Sequence, residues 1–258
     1  MTRLVLWVVL AVLAAGCQPE ASARPPETLT YRVVRELPHD PDAFTQGLFL
    51  HNGKLLESTG QYGQSTLRRV DRETGKPELV RLLPAEVFGE GMTLLGDRVY
   101  QLTWKEHTVL VYDAVTLEVQ ASLRYPGEGW GLTTDGQRLI LSDGSSTLQF
   151  LEPGTLNKLG ELTVTDRGQE VANLNELEFI QGKLFANVWQ TDRIARIDLT
   201  TGKVDAWLDL TGLLKPDGVA RAHPVDVLNG IAHDPASGHL LVTGKYWPKL
   251  FELELSSP

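Results

Sequence analysis

The 258-residue chain holds a single cysteine, Cys17. That excludes an internal disulfide, and beyond residue 17 it excludes a thiolate nucleophile or a cysteine metal site. Long apolar runs are scarce too. Leu4 to Ala15 is an unbroken run of apolar and small residues, but twelve residues are too few to span a bilayer comfortably. Basic charge is also in short supply: 24 Lys and Arg face 33 Asp and Glu, for a formal net charge of −9. This excess of acid argues against nucleic acid as a partner, because phosphate binding needs a basic footprint. Nor does a block of like charge form a tail. The histidines (His39, His51, His107, His223, His233 and His239) lack ligand spacing and read as surface or structural residues. No segment carries a helical apolar stripe. What is present is ordinary globular usage, 42% hydrophobic and 22% charged, in a chain long enough for one substantial core.

Met1-Thr2-Arg3 supplies a short positive start to the apolar run, which suits a secretory signal. The run ends in Leu13-Ala14-Ala15-Gly16-Cys17, which resembles a bacterial lipobox, with Ala14 where Leu is commoner. This predicts a signal peptide over 1–16, a lipid on Cys17 that anchors the chain to a membrane, a flexible tether over 17–29 and a folded domain over 30–258. The expected location is the bacterial cell envelope, as a periplasmic or outer-membrane lipoprotein. The alternative is an ordinary cut after Ala21-Ser22-Ala23, which would release a soluble secreted or periplasmic protein.

One short pattern recurs along the domain: a polar or aromatic residue, then Gly, then an apolar residue. It appears as Gln46-Gly47-Leu48, Glu90-Gly91-Met92, Trp130-Gly131-Leu132 and Asn229-Gly230-Ile231. Asn175-Glu176-Leu177 occupies the fourth place in the series, with Glu replacing Gly. The central members lie 44, 40, 45 and 54 residues apart, near the length of a four-stranded propeller blade. Each signature leads into a polar turn such as His51-Asn52-Gly53-Lys54 or Thr134-Asp135-Gly136-Gln137, where Gly and Asn or Asp suit a tight hairpin. Short strands with period-two alternation follow. The fifth repeat stops at its third strand, Lys249 to Leu255, whereas Tyr31 to Leu37 is an orphan strand before the first signature. If the N-terminal strand joins the last blade, two sheet edges disappear. The expectation is an all-β, five-bladed β-propeller closed in this way; the alternative is an open β-sandwich.

Equivalent repeat positions should form rings around a central channel. The residue before each signature centre gives Gln46, Glu90, Trp130, Asn175 and Asn229, and the end of the second strand gives Gly60, Trp104, Gly144, Trp189 and Lys245. Such chemical variety at equivalent positions points to a binding site at one mouth. The same residues fall in motifs that resemble the papaya-type glutaminyl-peptide cyclotransferases of plants and bacteria. They include Phe44-Thr45-Gln46-Gly47-Leu48, Phe88-Gly89-Glu90-Gly91, Leu102-Thr103-Trp104, Gly129-Trp130-Gly131-Leu132, Ser142-Asp143-Gly144-Ser145, Asn175-Glu176-Leu177-Glu178, Ala186-Asn187-Val188-Trp189, Leu228-Asn229-Gly230-Ile231-Ala232 and Thr243-Gly244-Lys245-Tyr246-Trp247-Pro248.

The resemblance implies an enzyme that closes N-terminal glutamine of peptides or proteins to pyroglutamate with release of ammonia, as a monomer and without a cofactor. It implies proton transfer by Glu90, an Asn175 that holds the reacting amide, and polar contacts from Gln46 and Lys245. Aromatic walls fall on Trp104, Trp130 and Trp189, with Phe44 and Phe88 nearby, and Asn229 joins the substrate-binding set. The residues alone leave other readings open. Strand-end tryptophans are often core, and an inward glutamate is often ion-paired, here with Lys245. Glu90, Asn175 and Asn229 are also a conceivable oxygen set for Ca²⁺ in a lactonase-type propeller. A non-enzymatic scaffold would instead show exposed apolar rims.

Overall fold

The computed structural model describes residues 25–256 and contains β-strands but no helix among them. Three antiparallel sheets have four strands each, in chain order. The first holds β2 (Thr45–His51), β3 (Lys54–Thr59), β4 (Thr66–Asp71) and β5 (Lys76–Leu82). The second holds β6 (Gly89–Leu95), β7 (Arg98–Thr103), β8 (Thr108–Asp113) and β9 (Val119–Arg124), and the third β10 (Gly131–Thr134), β11 (Leu139–Ser142), β12 (Thr147–Leu151) and β13 (Lys158–Thr163). A small hairpin, β14 (Thr165–Asp166) and β15 (Gln169–Glu170), had no counterpart in the repeat pattern. An eight-stranded sheet takes up β16 (Leu174–Ile180), β17 (Lys183–Val188), β18 (Arg193–Ile197), β19 (Val204–Asp209), β20 (Leu228–His233), β21 (Leu240–Gly244), β22 (Lys249–Ser256) and the N-terminal β1 (Glu27–Pro38).

The orphan N-terminal strand does join the last repeat. Tyr31 pairs with Leu255 and Leu37 with Leu250, antiparallel, around an irregularity between Val33 and Arg35. The strand also starts earlier than expected. Glu27–Leu29, assigned to the tether from sequence, pair in parallel with Ala206–Leu208 of β19. The signal peptide, Cys17 and the first part of the tether lie outside the described residues.

Packing arranges the sheets in a cycle of the β-propeller kind. Apolar side chains of neighbouring sheets meet in separate clusters. Leu56 and Leu67 pack with Met92, Val99 and Tyr112; Tyr100 and Val111 pack with Leu132 and Leu141. Ile140 and Leu148 pack with Leu177 and Ala195, and Ile194 and Leu208 with Ile231 and Phe251. Leu48 and Leu55 with Leu241 and Leu250 bring the cycle back to the first sheet. Each fully buried leucine here contributes about 1.5–3 kcal/mol, so the seams between sheets stabilise the fold without a disulfide.

The signature glycines let the first strands approach one another. A Cβ on Gly91 would meet Gly131 Cα at 2.6 Å, and one on Gly131 would meet Asn175 O at 2.0 Å. Where Glu176 replaces glycine, its carboxylate crosses between strands instead. It accepts the backbone N–H of Leu48 in β2 (3.3 Å) and of Ile231 in β20 (2.8 Å). Burial, with Glu178 adding to it, pushes this carboxyl well above its ordinary range, and the two N–H donors oppose the rise.

A buried polar knot ties the end of β1 to the first sheet and to the turn after β21. Glu57 accepts Thr45 Oγ1–H (2.7 Å) and Arg68 Nε–H (2.8 Å), and its Oε1 lies 2.9 Å from His39 Nε2. The other ring nitrogen of His39 lies 2.7 Å from the Trp247 carbonyl. With an acceptor at each nitrogen the ring carries both protons. Burial alone would lower the His39 pKa, but Glu57 holds it above its ordinary value. His39 is therefore structural, as its isolated position in the sequence suggested.

Candidate active site

Four of the five signatures begin their strand with a β-bulge. One extra residue lies between Thr45 and Gly47, between Gly89 and Met92, between Leu174 and Leu177, and between Leu228 and Ile231. A bulge breaks the alternation of side chains and re-aims the inserted residue. In this way Gln46, Glu90 and Asn175 reach a common cavity, and Trp130 reaches it from the residue before β10. The bulges were not apparent from sequence, because period-two alternation carries no mark for a one-residue insertion.

The cavity has a volume of about 430 Å³ and is lined mainly by apolar surface. Nine predicted residues line it: Phe44, Gln46, Phe88, Glu90, Trp104, Trp130, Asn175, Trp189 and Lys245. Gln190, Asp226 and Val227 also line it and were missed. They lie in the β17–β18 and β19–β20 connections, outside the strand alternation that assigns a side chain to a face. Asn229 does not line the cavity. Its Nδ2–H donates to the Gln46 side-chain oxygen (3.2 Å) and to the Thr45 carbonyl (3.0 Å) from behind. Its own Oδ1 is buried and has no hydrogen-bond partner.

Asn229 has a consequence for Glu90. Because it occupies the Gln46 oxygen, the Gln46 amide nitrogen faces Glu90 and donates to Oε1 at 2.9 Å. Glu90 is buried. Burial pushes its carboxyl well above the ordinary range, Lys245 pulls it partly back, and the Glu106 and Glu128 carboxylates push it further up. Lys245 is buried too, which lowers its pKa, while Glu90 and Asp226 oppose the fall. Its Nζ stands 4.6 Å from the centre of the Phe44 ring and makes no ion pair among the described residues. The alternative reading, in which Lys245 forms an ion pair with Glu90, is not met among the described residues. Asn175 Oδ1 is buried and has no hydrogen-bond partner. An unpaired buried acceptor is costly unless a ligand satisfies it.

The aromatic walls are set by the two glycines of the second ring. A Cβ on Gly60 would strike Phe88 Cε1 at 2.3 Å, and one on Gly144, at φ +82°, would strike Trp130 Cη2 at 2.6 Å. Small residues at these places leave room for rings contributed by the neighbouring signatures. Trp130 and Trp189 meet edge to face at 5.4 Å, and Phe88 stands 5.6 Å from Trp104 and 6.0 Å from Phe44. The arrangement is an aromatic cavity with a single buried carboxyl, one free amide oxygen and one ammonium. It suits a small polar side chain and proton transfer in a dry setting.

The profile of the glutamine cyclotransferase family matches residues 4–255. The chain belongs to this family. It is 46% identical over 225 residues to the glutaminyl-peptide cyclotransferase of Arabidopsis thaliana, covering 86% of this chain and 70% of that one. Among solved structures it resembles the glutaminyl cyclase of Myxococcus xanthus, with a TM-score of 0.84 and 39% identity over 90% of this chain and 99% of the other. The family anticipated from the motifs is thus the one found.

Proposed function

We propose that this glutaminyl-peptide cyclotransferase closes the N-terminal glutamine of peptides and proteins with Glu90 as proton shuttle. The observation that carries the reading is the buried Glu90 carboxyl, oriented by Gln46 in an aromatic cavity beside the unpaired Asn175 Oδ1. The substrate α-amine attacks its own γ-amide carbon, and the new N–C bond forms as the carbonyl π electrons move to oxygen. Tethering already supplies much of the advantage of proximity. Ionised Glu90 takes the proton from the attacking nitrogen and then delivers it to the departing one, so that the old C–N bond breaks with loss of ammonia. A carboxyl of ordinary acidity would hold that proton too weakly to pass it on near neutral pH; burial corrects this. Lys245 meets the developing oxyanion, and Asn175 accepts an N–H of the reacting glutamine. The aromatic walls exclude water and larger side chains. Ammonia release from a Gln-initiated peptide, with its N-acetylated counterpart inert, is the expected result; equal release from both would defeat the reading.

The sheets are, in this reading, five propeller blades, supported by the closed cycle of first strands and by an apolar cluster between each neighbouring pair. The enzyme is held at the cell envelope by a lipid on Cys17 and works as a monomer. Cys17→Ser should move it from the membrane to the soluble fraction with unchanged turnover.

A further inference from the structure

Glu128 stands on the segment between β9 and β10, where no repeat signature marks it. Its Oε2 accepts the indole N–H of Trp104 at 2.9 Å and that of Trp130 at 3.3 Å. These indoles come from different sheets, and each has only one polar atom with which to be oriented. One carboxylate oxygen has lone pairs for both. Its other oxygen lies 3.8 Å from Lys105 Nζ, which also sits 3.8 Å over the Trp104 ring.

The backbone under Glu128 is fastened to the strand that carries Trp104. Gly129 N–H donates to the Trp104 carbonyl (3.3 Å), and Tyr125 Oη–H donates to the Thr103 carbonyl (2.6 Å). A side chain at 129 would strike Tyr125 Oη at 2.4 Å, so Gly129 lets this segment lie flat against its neighbour. The Glu128 carboxylate is consequently held in place before a ligand arrives, although it is partly open to solvent.

We infer that Glu128 is a positioning residue that clamps Trp104 and Trp130 by their indole N–H groups and so sets the width of the glutamine pocket. The inference rests on the cyclase reading for its kinetic consequences but not for the clamp itself. Without the carboxylate the rings lose their common anchor, and the pocket no longer matches the substrate side chain in advance. The effect belongs chiefly in binding, because Glu128 carries no proton and its charge is the smallest of the pushes on the Glu90 carboxyl.

The test uses the full chain, three single variants and the Glu128→Ala/Trp104→Phe double variant. Glu128→Ala should raise KM for a Gln-initiated peptide at least about tenfold, the usual size of a lost charged hydrogen bond, with kcat changed less than about threefold. Glu128→Gln keeps an oxygen in place and should recover most of that KM. Trp104→Phe keeps a ring but deletes the N–H; it should raise KM alone and add little to Glu128→Ala, because both remove the same contact. Near-UV circular dichroism of the free protein should change in Glu128→Ala, whereas its melting temperature should not. A wild-type KM and near-UV spectrum in a folded Glu128→Ala protein would overturn the clamp, as would additive effects of the two substitutions. If Glu128→Ala does not fold, Glu128→Gln and Trp104→Phe decide by the same KM and spectral comparison. If the wild-type protein releases no ammonia, the cyclase reading fails while the spectral comparison still judges the clamp.

Discussion

Replacing Glu90 by glutamine isolates proton transfer from everything else the side chain does. The amide is nearly the same size, and its oxygen can still accept the Gln46 N–H now found at 2.9 Å from Oε1. Packing against the aromatic walls is kept, so KM should stay within about threefold of wild type. What disappears is the only buried carboxyl that lines the cavity among the described residues. Loss of a positioned acid–base group costs about 10²–10⁴ in rate, equivalent to about 2.7–5.4 kcal/mol of barrier. Single-turnover and steady-state ammonia release from a Gln-initiated peptide measure it directly. The pH profile gives a second readout with a definite sign. Glu90 must be ionised to accept the first proton, so wild-type kcat should rise with pH through a window displaced above the ordinary carboxylate range, because burial raises this group. Glu90→Gln should lose that limb. Turnover within tenfold of wild type, or an unchanged acidic limb, would refute the shuttle.

Trp130→Ala removes a ring that packs over Gly144 and meets Trp189 edge to face at 5.4 Å. KM should rise by about tenfold or more, with kcat less affected; a wild-type KM would show that the ring does not touch substrate. Glu178 is buried, which pushes its carboxyl up to about 8 against the opposing N–H of His233. A raised folded pKa means that this stabilisation is complete below the unfolded value near 4.5 and is lost as pH rises through the folded one. Glu178→Gln should therefore lessen the fall in melting temperature between pH 5 and 9, by the equivalent of at most about 5 kcal/mol. Glu90 and Glu176 contribute with the same sign and remain. Equal falls in both proteins would count against a neutral buried Glu178.

The all-β class, the repeats and the joining of the orphan N-terminal strand to the last repeat were all legible in the order of residues. Alternation, turn glycines and repeat spacing are local, and a strand missing from one end is matched by a spare one at the other. Nine of the cavity-lining residues could also be named, because the repeats put them in register and their chemistry differs where a structural ring would be uniform. The direction in which each side chain points was another matter. Asn229 shares its signature position with Glu90, and both lie within the same kind of bulge. Yet one lines the cavity and the other braces Gln46 from behind, since each faces a different neighbour around the cycle. Glu176 looked like a failed glycine and is a tie between strands. Gln190, Asp226, Val227 and Glu128 belong to connections between strands, where no alternation tells which way a side chain points. Their places were decided only when the chain closed, because closing brings distant connections against one mouth, and sequence spacing holds no record of that distance.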